Sequence, residues 1–253
     1  MIGIYFSGTG NSRYCVEKFL QEYDTTANSY SIEDSELLKH IHNHEDIVFG
    51  YPVQYSNVPK ILKDFIISHS NLWNGKRIFI IATMALFSGD GCGVLSRMLK
   101  KYGATTIGGL HLKMPDSIGD EKILKHSLEY NRNLVIKAEK KINKSIKKLK
   151  SGIPPKDGLG FFCHIVGLFG QRLYFINKTN LYTDKLKINA DECIVCGKCI
   201  GLCPMNNLVI KNDSIVSNGQ CTMCYRCINN CPKQAITLLG KMVVEQSNLE
   251  KYI

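Results

Sequence analysis

Eight of the chain's eleven cysteines lie between Cys193 and Cys231, and they are written twice. A shift of 28 positions carries Cys193, Cys196, Cys199 and Cys203-Pro204 onto Cys221, Cys224, Cys227 and Cys231-Pro232, so each half reads C-x2-C-x2-C-x3-C-P. Three thiolates at this interval can wrap one face of an iron–sulfur cubane. The fourth must come from elsewhere because the local loop has already turned away, and in two-cluster arrangements the halves exchange it. On this spacing Cys193, Cys196, Cys199 and Cys231 would hold one [4Fe–4S] cluster, and Cys221, Cys224, Cys227 and Cys203 the other. Structural zinc is normally built from two separated C-x2-C pairs, a pattern that closely spaced triplets do not follow. Cys15, Cys92 and Cys163 are scattered through helical or apolar context and are expected to be small buried hydrophobes.

A second set of candidate groups is Ser7-Gly8-Thr9-Gly10-Asn11-Ser12, between the apolar run Ile2 to Phe6 and a helical pattern. Such a turn aims backbone N–H groups and hydroxyls at one point, at the positive end of a helix, which suits a phosphate. No lysine follows in the P-loop position, and the G-x-G-x-x-G pattern fails at Arg13, so nucleoside triphosphates and the dinucleotide fingerprint are disfavoured.

Elements must position these groups. Expected strands are Ile2 to Phe6, Asn28 to Ile32, Ile47 to Tyr51, Arg77 to Thr83 and Thr105 to Leu112. Helical spacing covers Asn11 to Gln21, Pro59 to Ser68 and Gly91 to Tyr102, with a shorter stretch at Ser35 to His40. Continuous apolar strands with interleaved helices indicate a parallel sheet covered on both faces. A long helix is expected from Glu121 to Lys150, with Leu124, Leu128, Val135, Ala138, Ile142, Ile146 and Leu149 as its buried stripe. Ser151-Gly-Ile-Pro154-Pro155 stops it, and an aromatic segment to about Lys185 is expected to pack between two domains.

The glycine loop resembles the phosphate loop of flavodoxins, T/S-x-T-G-x-T/S. Two further segments fall where that family places its isoalloxazine loops, Gly50 to Pro59 and Thr83 to Gly93. The resemblance implies FMN, with Ser7, Gly8, Thr9, Gly10, Asn11 and Ser12 at its phosphate. Pro52, Val53, Gln54 and Tyr55, then Thr83, Met84, Phe87 and Gly91, would serve its ring, with Tyr55 and Phe87 as the aromatic contacts. Residues 186 to 241 resemble bacterial-type two-cluster ferredoxins. Together the halves are similar to the flavodoxin–ferredoxin fusions of anaerobes, the EFR-type family. That implies an α/β fold: a flavodoxin-like, doubly wound five-stranded parallel sheet (residues 1–150) and a bridging segment (151–185). A small α+β ferredoxin-like domain (186–241) and a C-terminal tail (242–253) follow.

The composition is 44% hydrophobic and 21% charged, which excludes wholesale disorder. Eleven cysteines are too few for a small disulfide-stapled secreted scaffold. No export signal or membrane-length apolar run is visible, so a soluble cytoplasmic protein is expected. The net charge is +10. Two clusters would contribute about −2 each and a flavin phosphate up to about −2, which weakens a nucleic-acid reading. Residues 121 to 157 hold 11 Lys and Arg against 4 acids. This is a solvated helix face that could also steer an acidic redox partner, such as a free ferredoxin, or a reductase. His40, His42 and His44 suit a strand or loop surface rather than a metal site. A homodimer is compatible with the sequence. The expected function is electron transfer between two [4Fe–4S] clusters and FMN. The alternative is a ferredoxin-dependent flavin oxidoreductase acting on an organic substrate, with Asp90 or Tyr55 as acid or base; a ring-covering aromatic favours the carrier and an open cavity the enzyme.

Overall fold

Uninterrupted runs such as Ile78 to Ala82 can be satisfied only where both faces of a strand are covered, and all five of those side chains are fully buried. The computed structural model describes residues 1–169, 173, 175 and 182–253. It places β1 (Ile2–Tyr5), β2 (Ser29–Ser31), β3 (Asp46–Pro52), β4 (Arg77–Met84) and β5 (Thr105–Lys113) in one parallel sheet of order β2-β1-β3-β4-β5. The chain winds outward in both directions from the β1/β3 pair, so a crevice opens beyond their carboxyl ends.

Alternate strand residues feed two cores. On one face Ile4, Phe49 and Ile80 meet Leu37 and Ile41 of α2 (Leu37–Asn43), Leu62 and Ile66 of α3 (Lys60–Ser68), and Leu95 of α4 (Gly91–Lys100). On the other, Val48, Phe79 and Ile81 meet Val16 and Phe19 of α1 (Asn11–Tyr23) and Val135, Ala138 and Ile142 of α5 (Leu128–Lys150). Leu249 and Tyr252 join this second core, so the segment after residue 242 packs on the sheet domain.

Two expectations are corrected. The long helix begins at Leu128, not Glu121, because Ser127 is extended and its Oγ caps the Tyr130 N–H at 3.2 Å. Lys122–Leu124 forms a separate 3-10 turn, and Leu128 is exposed, so the buried stripe starts at Asn131 and Leu134. The second correction concerns the bridging segment. Residues 155–157 do run along β5, with the Gly109 N–H donating to Pro155 O at 2.8 Å and the Asp157 N–H to Gly109 O at 2.9 Å. The short helix Phe161–Gly167 leaves Phe161 and Phe162 73% and 82% exposed, whereas Phe175 and Tyr182 further along pack against Tyr55 of the loop after β3, so only the first part of the segment departs from the expected packing. Part of that segment, residues 170–172, 174 and 176–181, lies outside the described residues.

The cysteine-rich part carries two antiparallel pairs, β6 (Lys187–Ile188) with β9 (Ile236–Thr237) and β7 (Leu208–Lys211) with β8 (Ser214–Ser217). Its two short helices are Lys198–Leu202 and Arg226–Asn230, and its core includes Leu186, Leu208, Ile228 and Ile236. It sits on the carboxyl edge of the sheet. Gln54 Nε2 donates to Thr222 O and Met223 O at 3.0 Å, and Asn229 Nδ2 to Ser117 O at 2.7 Å. The Asp120 carboxylate accepts from the backbone N–H groups of Leu238, Leu239 and Gly240. Among the described residues no helix is long and apolar enough to cross a membrane.

Candidate functional site

The crevice holds a cavity of about 280 Å³. The loop after β1 lines it with Ser7, Gly8, Thr9, Asn11 and Ser12, the loop after β3 with Pro52, Val53, Gln54 and Tyr55, and the loop after β4 with Thr83, Met84 and Phe87. Gly10 and Gly91 stand back from it. Gly10 has φ +95° and starts α1, its carbonyl accepting the Tyr14 N–H. Gly91 opens α4, and its carbonyl accepts the Tyr51 hydroxyl.

The loop after β1 fits an anion. α1 has no side-chain cap and no acidic residue in its first turn, so its positive end faces the loop uncompensated. Ser12 Oγ is fixed to Thr83 Oγ1 at 2.7 Å, and Asn11 Nδ2 donates to Pro115 O at 2.8 Å. Ser7 Oγ is buried with no partner among the described residues, a cost that a ligand oxygen would relieve.

The aromatic candidates part company. Tyr55, at φ +50° beside Ser56 at φ +56°, packs against Phe175 and Tyr182 with ring centroids 4.5 and 5.4 Å away, and burial pushes its phenol well above the usual range. Phe87 lies at the rim, 60% exposed. Asp90 is not beside the cavity: fully buried, it binds Arg97 Nη2 at 2.5 Å and His164 Nδ1 at 3.0 Å through Oδ2. The carboxyl group that does line the cavity is Asp116, pushed upward by burial and holding the Ile118 N–H at 2.6 Å. Met114 to Ile118, Phe175 and the run Met223 to Tyr225 also line it, and the loop pattern did not assign these residues to it.

The eight cysteines surround two smaller cavities of about 20 Å³ each. Cys193, Cys196, Cys199 and Cys231 line one, among Ile188, Ile194, Ile215 and Ile236. Cys203, Cys221, Cys224 and Cys227 line the other, among Leu186, Leu208, Ile228 and Leu238. Dry walls push the Cys221 thiol up to about 12, and the Cys199, Cys224 and Cys227 thiols upward as well. The duplication extends to the backbone. Val195 and Met223 have φ +51° and +54°, Gly197 and Tyr225 +71° and +60°, and Asn206 and Gln234 +49° and +51°. Non-glycine residues are uncommon in this region, and five of these six positions hold one, so the two halves share the same turns.

Cys224 and Tyr225 line both the large cavity and the second four-cysteine cavity, forming a shared wall. Gly8 presses against it: a Cβ there would stand 2.0 Å from Cys224 O. His40 and His42 lie on α2 instead of a strand or loop. His44 follows it with Nδ1 bonded to His40 O at 2.9 Å.

A family model described as a flavodoxin domain matches residues 2–102, and one described as a 4Fe-4S dicluster domain matches residues 184–236. Among solved structures, two-electron reduced Megasphaera elsdenii flavodoxin is 18% identical with a TM-score of 0.43, covering 58% of this chain and 99% of its own. Fusobacterium nucleatum flavodoxin bound to flavin mononucleotide is 18% identical with a TM-score of 0.42, covering 60% and 98%. Oxidised Flavodoxin 2 from Bacillus cereus is 15% identical with a TM-score of 0.45, covering 59% and 97%. No curated protein matches the chain.

Proposed function

We propose that this chain, in which a flavodoxin domain (residues 2–102) and a 4Fe-4S dicluster domain (residues 184–236) are joined, passes electrons between two [4Fe–4S] clusters and a bound FMN. The observation that carries the reading is the shared wall of Cys224 and Tyr225, which brings the flavin cavity and one four-cysteine cavity into contact. A cluster exchanges one electron at a time and FMN one or two, so linkage joins single-electron carriers to two-electron chemistry and replaces a diffusional encounter by a fixed neighbour.

The roles fall on this chain's own residues. Ser7, Thr9, Ser12 and the N-terminus of α1 would hold the phosphate, and Gly8 lets the backbone come close. Val53, Tyr55, Met84 and Phe87 would border the ring. Cys193, Cys196, Cys199 and Cys231 would ligate one cluster and Cys203, Cys221, Cys224 and Cys227 the other, with the surrounding aliphatic side chains excluding water. The exposed lysines of α5, such as Lys137, Lys140, Lys144 and Lys147, offer a basic face to an acidic redox protein.

Anaerobically purified protein is expected to contain about eight iron, eight sulfide and one FMN per chain. Rapid mixing with dithionite is expected to bleach clusters and then flavin. A colourless protein, or zinc in place of iron and sulfide, would overturn the proposal.

A further inference from the structure

We propose that the cavity of Cys203, Cys221, Cys224 and Cys227 is the flavin-side member of the pair, and that Arg226 is the positioning residue that fixes it there. This inference rests on the cofactor reading above.

Arg226 lies between Cys224 and Cys227, and its guanidinium reaches three other segments. Nη1 donates to Glu33 Oε2 at 2.8 Å and to Leu202 O at 3.3 Å; Nη2 donates to Glu33 Oε1 at 2.8 Å and to Ser7 O at 2.9 Å. Leu202 precedes Cys203, the ligand donated by the first half of the repeat, and Ser7 opens the loop that fits the phosphate. One planar fork therefore ties both cysteine segments of this cavity to the flavin cavity. Glu33, in the loop after β2, holds the fork bidentately, a geometry that lysine cannot reproduce. The pair is half-buried, with side chains 19% and 28% exposed.

The duplication supplies an internal control. Shifting Arg226 back by 28 positions gives Lys198, which is exposed. The same shift pairs buried Thr222 with Ile194, 58% exposed, and Cys224 of the shared wall with exposed Cys196. The two halves thus keep their ligands and turns but differ in surroundings: the second is sealed against the flavin cavity, and the first turns toward solvent, where an external carrier can approach.

The test uses the full-length, cofactor-loaded protein under anaerobic conditions. A reduced cluster is paramagnetic and broadens the ³¹P resonance of a nearby FMN phosphate, an effect that falls steeply with distance. Dithionite-reduced wild type is expected to show a broad line. Cys193→Ser, which removes the outer cluster, should leave it broad, whereas Cys221→Ser should sharpen it. Arg226→Ala should narrow the line and slow flavin bleaching about tenfold at unchanged iron and flavin content. Arg226→Lys should recover part of both, and Glu33→Gln, which loosens the fork while sparing the fold, should shift both in the same direction as Arg226→Ala.

Sharpening in Cys193→Ser but not in Cys221→Ser would overturn the assignment of sides. A line width and bleaching rate unmoved in both Arg226→Ala and Glu33→Gln would overturn the role of Arg226. Wild type lacking iron or FMN would instead sink the cofactor reading itself.

Discussion

At Gly8 the two halves of the protein press closely together. A methyl group there would meet the Cys224 carbonyl at 2.0 Å, backbone against backbone, with no flexible side chain to yield. Gly8→Ala must therefore push the phosphate-fitting loop and the cysteine loop apart. It is expected to cost about 1–3 kcal/mol and to weaken FMN binding. Thermal melting and fluorescence titration with FMN check this, and an unchanged flavin affinity would argue against placing the phosphate at this loop. His111 makes a pH-dependent prediction. Its Nε2 lies 3.2 Å from the Cys92 N–H in the first turn of α4, where only the neutral ring can accept and a cation would face the helix's positive end. Burial, assisted by Lys141 and opposed by Asp157 and Asp90, holds its pKa below the usual 6.5. Folding thus favours the neutral ring, and the stability it contributes is complete above pH 6.5 and lost as pH falls through the lowered value. His111→Gln should lose less thermal stability than wild type between pH 7.5 and 5, after subtraction of the acid loss that both share from their clusters.

At the scale of elements, the loop after β5 docks the dicluster part through the Asp120 carboxylate as well as through Ser117 O. Asp120 Oδ2 accepts three backbone N–H bonds at 2.6, 2.9 and 3.1 Å from Leu238, Leu239 and Gly240. Asp120→Asn removes the charge that strengthens them and is expected to cost about 1.5–3 kcal/mol, read as a lower melting point and faster thiol labelling of the cluster-depleted protein. The strands were legible in the sequence because a strand buried on both faces must be apolar throughout, as Ile78 to Ala82 are. The start of α5 was not, since Leu124 and Leu128 continue its period by chance while Ser127 breaks the helix locally. The four cysteines lining each small cavity are the sets that the doubled spacing groups together. No local signal announced Met223, Cys224 and Tyr225 in the large cavity, because they reach it only through docking of one domain on the other. Asp90 carried the opposite lesson: a carboxylate in a loop of the right kind belongs to an Arg97–His164 network instead.

Over the whole molecule, the dicluster part covers the carboxyl edge of the sheet, and the segment after it returns to the domain where the chain began. Leu249 is buried in the second sheet core, its N–H donates to Thr9 O at 3.0 Å, and its Cβ stands 3.1 Å from where a Gly10 side chain would project. Leu249→Ala is expected to cost about 2–5 kcal/mol and also to raise the FMN dissociation constant, because cavity formation and loss of loop support occur at the same place. Equilibrium unfolding and flavin titration of one sample separate the two effects; destabilisation with unaltered flavin affinity would show that the return segment supports the sheet alone. The Thr9–Leu249 bond also sets a clock on biogenesis. At about 5–20 residues per second, a ribosome makes its two partners tens of seconds apart, so the nascent sheet must wait with an unsupported anion loop. Flavin captured early would be held by half a site, and firm retention would follow only after the cysteine repeat has emerged and folded back.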